Sequence, residues 1–125
     1  MRKSLFFVVL IVPFMVKGQA GTIIDSLTQA TKNTNDPKEL FSLYDELVTQ
    51  WAEANFDSSY YYAQKLYRLS NRLSDSKFKS KALLRLGTPH DYHSHFDSAA
   101  YYYEKSLRNS EASIDSGGKI GRAHV

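Results

Sequence analysis

The 125-residue chain contains no cysteine, which removes disulfide frameworks, thiolate zinc sites, catalytic thiols and a lipid-modified N-terminal Cys from consideration. Its six glycines form no phosphate-cradling loop and no nucleophile elbow, and no kinase signature is present. No segment alternates apolar and polar residues between turn signals, so no sheet is expected. A Lys/Arg stripe is also missing. Of the 16 cations set against 13 carboxylates, Arg2, Lys3 and Lys17 lie in the first twenty residues, and the remainder balances. Such a chain has no electrostatic footprint for nucleic acid. Its length allows one small domain, too short for most enzymes. Carboxylates such as Asp45, Glu46 and Asp115 fall where helical solvent faces carry charge routinely, so no catalytic residue, cofactor or metal is assigned.

What is present begins with an export signal. Met1 to Ser4 is a short positive start, Leu5 to Val16 is an apolar run, and Gly18-Gln19-Ala20 places small residues where a signal peptidase reads them. Pro13 and Lys17 cut the run below the roughly 20 residues a membrane span needs. Residues 1–20 are therefore expected to be cleaved after Ala20, releasing a periplasmic or extracellular product that does not insert into a membrane.

The rest predicts an all-α chain of about five helices. Ile23, Ile24, Leu27 and Ala30 keep helical spacing over 22–32. Asp36-Pro37-Lys38-Glu39 combines a cap acceptor, a proline at the first helical position and a Glu that closes a capping box. The stripe Leu40, Leu43, Tyr44, Leu47, Val48 and Trp51 then predicts a helix to about Ala54. Asp57 is expected to cap a third helix, with Phe56 stapled to Tyr61 and a stripe of Tyr62, Leu66, Leu69 and Leu73. Asp75-Ser76 opens a fourth, carrying Phe78, Ala82, Leu83 and Leu86. Phe96-Asp97 repeats the cap and staple, with Tyr101 as partner, and Ala99, Ala100, Tyr103, Leu107 and Ile114 share one side of the fifth.

Displacing the chain by 40 residues superimposes Phe56-Asp57-Ser58 on Phe96-Asp97-Ser98, Tyr61-Tyr62 on Tyr101-Tyr102, and Asp75-Ser76 on Asp115-Ser116. A match that reproduces caps and turns together marks an internal duplication. Within it, Leu83-x-x-Leu86-Gly87-x-x-His90 followed by Ala99-x-x-x-Tyr103 resembles the tetratricopeptide repeat (TPR). That resemblance implies antiparallel helical hairpins stacked as a solenoid, with Leu83, Leu86, Gly87, Ala99 and Tyr103 at the close helix contact. It covers Lys77 to Ser110 well and Lys38 to Ser70 more loosely, with Ser59 and Ala63 at the small and aromatic positions. His90 stands where the family prefers an aromatic, Ser106 where it prefers Ala, and Thr88-Pro89 should kink the helix or restart it with Thr88 as cap. The 40-residue period exceeds the usual 34, and HEAT-like repeats fit the period but not the Leu-Gly and Ala positions.

The resemblance further implies a concave groove lined by the first helix of each repeat, which places Tyr44, Val48, Trp51, Lys81, Leu84 and Tyr92 against a protein or peptide partner. His90 and His93 share a helical face beside Asp91, whereas His95 should point elsewhere, leaving no third metal ligand in view. The Tyr60–Tyr62 and Tyr101–Tyr103 trios each span about 200° of helix, so part of each must pack and part stay exposed. Residues 21–119 read as an incomplete repeat domain, and 120–125 as a non-native tail that lacks amphipathic logic. Without Lys119 and Arg122 the mature part carries two more carboxylates than cations. The functions implied are an exported, non-catalytic interaction scaffold or, since FDSAAYYYEKSL after a GQA signal site is similar to Bacteroidetes-type TPR sensors, the input region of a sensor histidine kinase or related regulator.

Overall fold

The computed structural model describes the backbone of residues 21–122 and the side chains of residues 21–115. The predicted leader at 1–20 lies outside the described residues, as do the side chains of the predicted tail at 120–125. Five helices follow one another: α1 (21–32), α2 (Pro37–Trp51), α3 (Phe56–Ser70), α4 (Ser76–Tyr92) and α5 (Phe96–Arg122). No strand occurs among the described residues. Helices α2 and α3 form one antiparallel hairpin and α4 and α5 a second, with α4 lying against α2 and α3. This is the TPR-like solenoid expected from the repeat.

Capping decides where the helices start. Asp36 accepts from the Lys38 N–H at 3.2 Å, ahead of Pro37, and Asp75 accepts from the Lys77 N–H at 3.0 Å. The expected capping box is replaced. Thr34 Oγ1 accepts the Asp36 N–H at 3.2 Å and donates to Glu39, so a threonine stands between the two ends of the box. The cap of helix α3 lies two residues before the predicted one. Asn55 Oδ1 accepts from the Ser58 N–H at 3.0 Å, and Asp57 instead sits in the first turn, where its charge meets the helix dipole. With that register Phe56 stacks on Tyr60, at 5.6 Å, and not on Tyr61. At the start of α5 the staple is absent, since Phe96 and Tyr101 are both mostly exposed.

The core fills two adjoining layers. Phe41, Leu66, Leu69 and Ala82 form one, and Val48, Ala63, Leu83 and Leu86 the other. Phe41 was not in the predicted stripe, yet it is buried, with its ring edge-on to Phe78 at 4.9 Å. A first helix of a repeat must cover both its own partner and the next repeat, which widens its buried face beyond a single stripe.

Helix α4 runs through Thr88 and Pro89 to Tyr92 without restarting. Pro89 lies one turn from the helix end, where a missing N–H forfeits a single bond, and its ring is fully buried. Thr88 Oγ1 donates to the Leu84 carbonyl at 3.3 Å. The helix stops in a Schellman turn. The Ser94 N–H reaches the Asp91 carbonyl at 3.2 Å, the His95 N–H reaches the His90 carbonyl at 2.8 Å, and Ser94 takes the left-handed conformation at φ 63°.

Helix α5 departs most from expectation. Its buried side carries Ala99 and Ser106, with Tyr102, Tyr103, Asn109 and Ser110 half-buried, while Ala100, Leu107 and Ile114 face outward. The α4–α5 seam is polar toward the start of α4. Ser106 donates to the Ser80 carbonyl at 2.6 Å, and Asn109 bonds the Ser76 carbonyl at 3.2 Å and the Ser80 hydroxyl at 2.7 Å. Ser110 reaches the same hydroxyl at 2.9 Å. The repeat register predicted a turn at Asp115-Ser116, but α5 continues past it. Residues 111–115 are exposed, and Ser113 accepts the Ser76 hydroxyl at 2.6 Å, which keeps α5 beside the start of α4.

At Gly87 α4 and α5 approach closely. A Cβ there would lie 2.6 Å from Tyr103 Cε1, 2.9 Å from Cδ1 and 3.2 Å from the Ala99 carbonyl oxygen. The ring cannot swing aside freely, because its hydroxyl donates to Asp91 Oδ2 at 3.1 Å. Gly87→Ala should therefore lower stability by about 1–3 kcal/mol through overpacking, despite a helix-propensity gain of about 1 kcal/mol. Thermal denaturation followed by circular dichroism checks this. Tyr103→Leu in the same chain should make the alanine neutral or favourable, whereas an unchanged melting temperature for the single variant refutes the close approach.

Candidate functional site

Solenoids of helical hairpins present two long faces, one from the first helices of the hairpins and one from the second. On the first, α2 and α4 are joined by a charge cluster. Asp45, with a side chain only 15% exposed, pairs with Arg85 and lies 3.4 Å from Lys81. Beyond this cluster α4 exposes Leu84 and Tyr92, at 39% and 61%.

Of the six residues predicted to line this face, the structure collects Lys81, Leu84 and Tyr92 along α4. Val48 does not belong there. It is wholly buried against Ala63, Leu83 and Leu86, and its carbonyl accepts the Ser59 hydroxyl at 2.8 Å, so it is part of the interior. Tyr44 turns toward α3, with its ring 6.0 Å from that of Tyr62 and the Lys65 ammonium 5.8 Å from its centroid. Trp51 is half-buried. Among the repeat-packing positions, Leu83, Leu86 and Ala99 are buried, and Gly87 meets Tyr103.

The second face holds a cleft that the sequence analysis did not anticipate. No Cα of α3 comes within 8 Å of one in α5 among the described residues. The gap between the two helices, floored by Leu83 and Leu86 of α4, measures about 300 Å³. At one end the Tyr60 and Tyr102 hydroxyls meet at 2.9 Å. Burial and this hydrogen bond push the Tyr102 phenol up to about 12, so it stays protonated at neutral pH. Toward the other end a further depression of about 400 Å³ is walled by Tyr67, Lys79, Lys105 and Arg108. The signal available in the sequence was the pair of tyrosine trios. Their outer members Tyr61 and Tyr101 are exposed, and Tyr60 and Tyr102 are half-buried across the gap.

Next to the tyrosine pair lies a cluster of rings built by the Schellman turn. His90 packs edge-on to Phe56 at 4.9 Å and stacks on Tyr102 at 5.7 Å. The turn carries His95 back to His90, with Nδ1 atoms 3.4 Å apart, while His93 points to the Ala52 carbonyl at 2.9 Å. The pairing expected from helical spacing is thus reversed, because the chain leaves the helix before spacing can decide it. No three His, Asp or Glu side chains converge as a metal-ligand set among the described residues, and no described helix is long and apolar enough to cross a membrane.

Burial, and secondarily His95, hold His90 below its usual 6.5. The unfolded chain then takes up the proton first, so stability present above 6.5 is lost as pH falls toward the lowered folded value. Melting temperature should decline on acidification below 6.5, and the decline should be shallower in His90→Phe, which keeps the ring but cannot titrate. Parallel profiles for the two proteins would contradict this assignment.

A family model described as the SusR N-terminal TPR domain matches residues 17–92, more than half of the chain. Comparisons with curated proteins and with solved structures return no match. The matched span takes in α1 to α4 and so includes the complete first hairpin and the opening helix of the second. Together with the stacked hairpins and the glycine contact, it shows that the chain belongs to the tetratricopeptide-repeat family, in its SusR N-terminal type.

Proposed function

We propose that this chain is an exported scaffold that binds a protein or peptide partner and has no catalytic activity of its own. The observation that carries the reading is the exposed stripe of α4. Leu84 and Tyr92 stand in solvent on the first helix of a repeat, beside an Asp45–Arg85 pair that is already satisfied. Large apolar side chains exposed on one side of a rigid helix suit a partner segment laid against it. The leader read at residues 1–20 supports export. A photo-crosslinking residue at position 92 should capture a defined partner in the source cells, one at Arg72 should not, and Leu84→Glu should abolish the capture. Equal capture at both positions, or none at 92, would defeat the reading.

The family description favours a second reading, since it names an N-terminal domain. On that reading the chain is the sensory input region of a longer signalling protein. Genomic sequence downstream of the Lys119 codon distinguishes the two. A frame that continues through further repeats into an apolar span and a kinase or DNA-binding module supports the input region, and an early stop after a polar helix supports the free scaffold.

A further inference from the structure

The cleft between α3 and α5 gathers cationic side chains. Arg68 lines its deeper part, Lys79 and Arg108 its outer part, and Lys105 both. No carboxylate lines either part. On the opposite face Asp45 pairs with both Lys81 and Arg85 and offsets one of their two charges, and at the rim Glu104 occupies Arg108 at 3.1 Å. Arg68, Lys79 and Lys105 have no carboxylate within ion-pair distance among the described residues; Lys79 and Lys105 lie instead over the rings of Tyr67 and Tyr101, at 5.6 and 5.2 Å. A balanced chain has thus left three cations unneutralised around one concavity. Cations gathered in a cleft with apolar walls produce a focused positive potential.

The floor and walls restrict what answers that potential. Leu83 and Leu86 offer an apolar base, and the Tyr60 and Tyr102 rings close one end. We infer that this cleft binds an acidic, aromatic-containing peptide segment of a partner protein, laid between α3 and α5 with its carboxylates toward Arg68, Lys79 and Lys105 and an aromatic side chain on Leu83 and Leu86. The inference rests on the interaction reading only for the class of partner; the surface is the opposite face from the Leu84–Tyr92 stripe.

The test is fluorescence anisotropy with a labelled Glu/Asp peptide carrying one central Tyr. Binding at low ionic strength should weaken at about 0.15 M salt, where the Debye length is about 8 Å. The matching Gln/Asn peptide should bind at least about tenfold more weakly. Arg68→Glu with Lys105→Glu should cost a similar factor with an unchanged melting temperature, since both side chains are exposed. Lys32→Glu with Lys38→Glu makes the same change in net charge far from the cleft and should leave binding intact, as should Leu84→Glu. Equal losses from the two double reversals would reduce the effect to net charge, and equal binding of the uncharged peptide would remove the carboxylates from it. Tighter binding of a single-stranded oligonucleotide than of the peptide would replace the partner class. Each of these overturns the inference. Failure of crosslinking at position 92 would leave it standing and remove only the α4 stripe.

Discussion

The second hairpin depends on the absence of one carbon atom. Gly87 lets the Tyr103 ring and the Ala99 carbonyl come closer to α4 than any side chain would allow, and this separation places Ser106 and Asn109 within hydrogen-bond reach of Ser80. Tyr103 is held from the other side by Asp91, at the end of α4. One small residue therefore sets the spacing, a ring fills it, and a carboxylate fixes the ring.

The first hairpin packs by different means. Position 47, forty residues before Gly87, is a fully buried leucine. Closeness comes from α3, where Ser59 and Ala63 are fully buried and the Ser59 hydroxyl bonds the Val48 carbonyl. A serine at a close contact is tolerable only when its hydroxyl finds an acceptor, and no described buried side-chain polar atom lacks a partner. The two hairpins share a register but not a packing solution, which is why the motif is clear in one and diluted in the other.

Helix number and the caps at Asp36 and Asp75 were legible because local chemistry determines them, and the Gly87 contact because the resemblance to the repeat family implied it. Elsewhere, competitors invisible in the sequence took over. Asn55 captured the cap from Asp57, and Thr34 displaced Glu39 from its box. Thr88-Pro89 read as a break, yet α4 runs through it and forgoes one backbone bond while burying the Pro89 ring. On α5 the apolar pattern pointed to Leu107 and Ile114, yet serines and an asparagine face α4, since their partners are backbone carbonyls and a hydroxyl that carry no sequence signal. Among site residues, Lys81, Leu84 and Tyr92 share the surface of α4, while Val48 and Tyr44 needed tertiary contacts to be placed. The α3–α5 cleft escaped entirely, because a gap between two helices is a property of neither.

The hydroxyl-rich seam between α4 and α5 also gives the two hairpins different thermodynamic character. Exposing apolar surface raises the heat capacity of unfolding, and exposing polar surface lowers it. The first hairpin, sealed by Phe41, Leu47, Val48, Leu66 and Leu69, contributes to the positive term. The second, bonded through Ser80, Ser106, Asn109 and Ser110, contributes a compensating one. Its stability thus varies less steeply with temperature, and cooling weakens the apolar first hairpin more than the polar seam beside it.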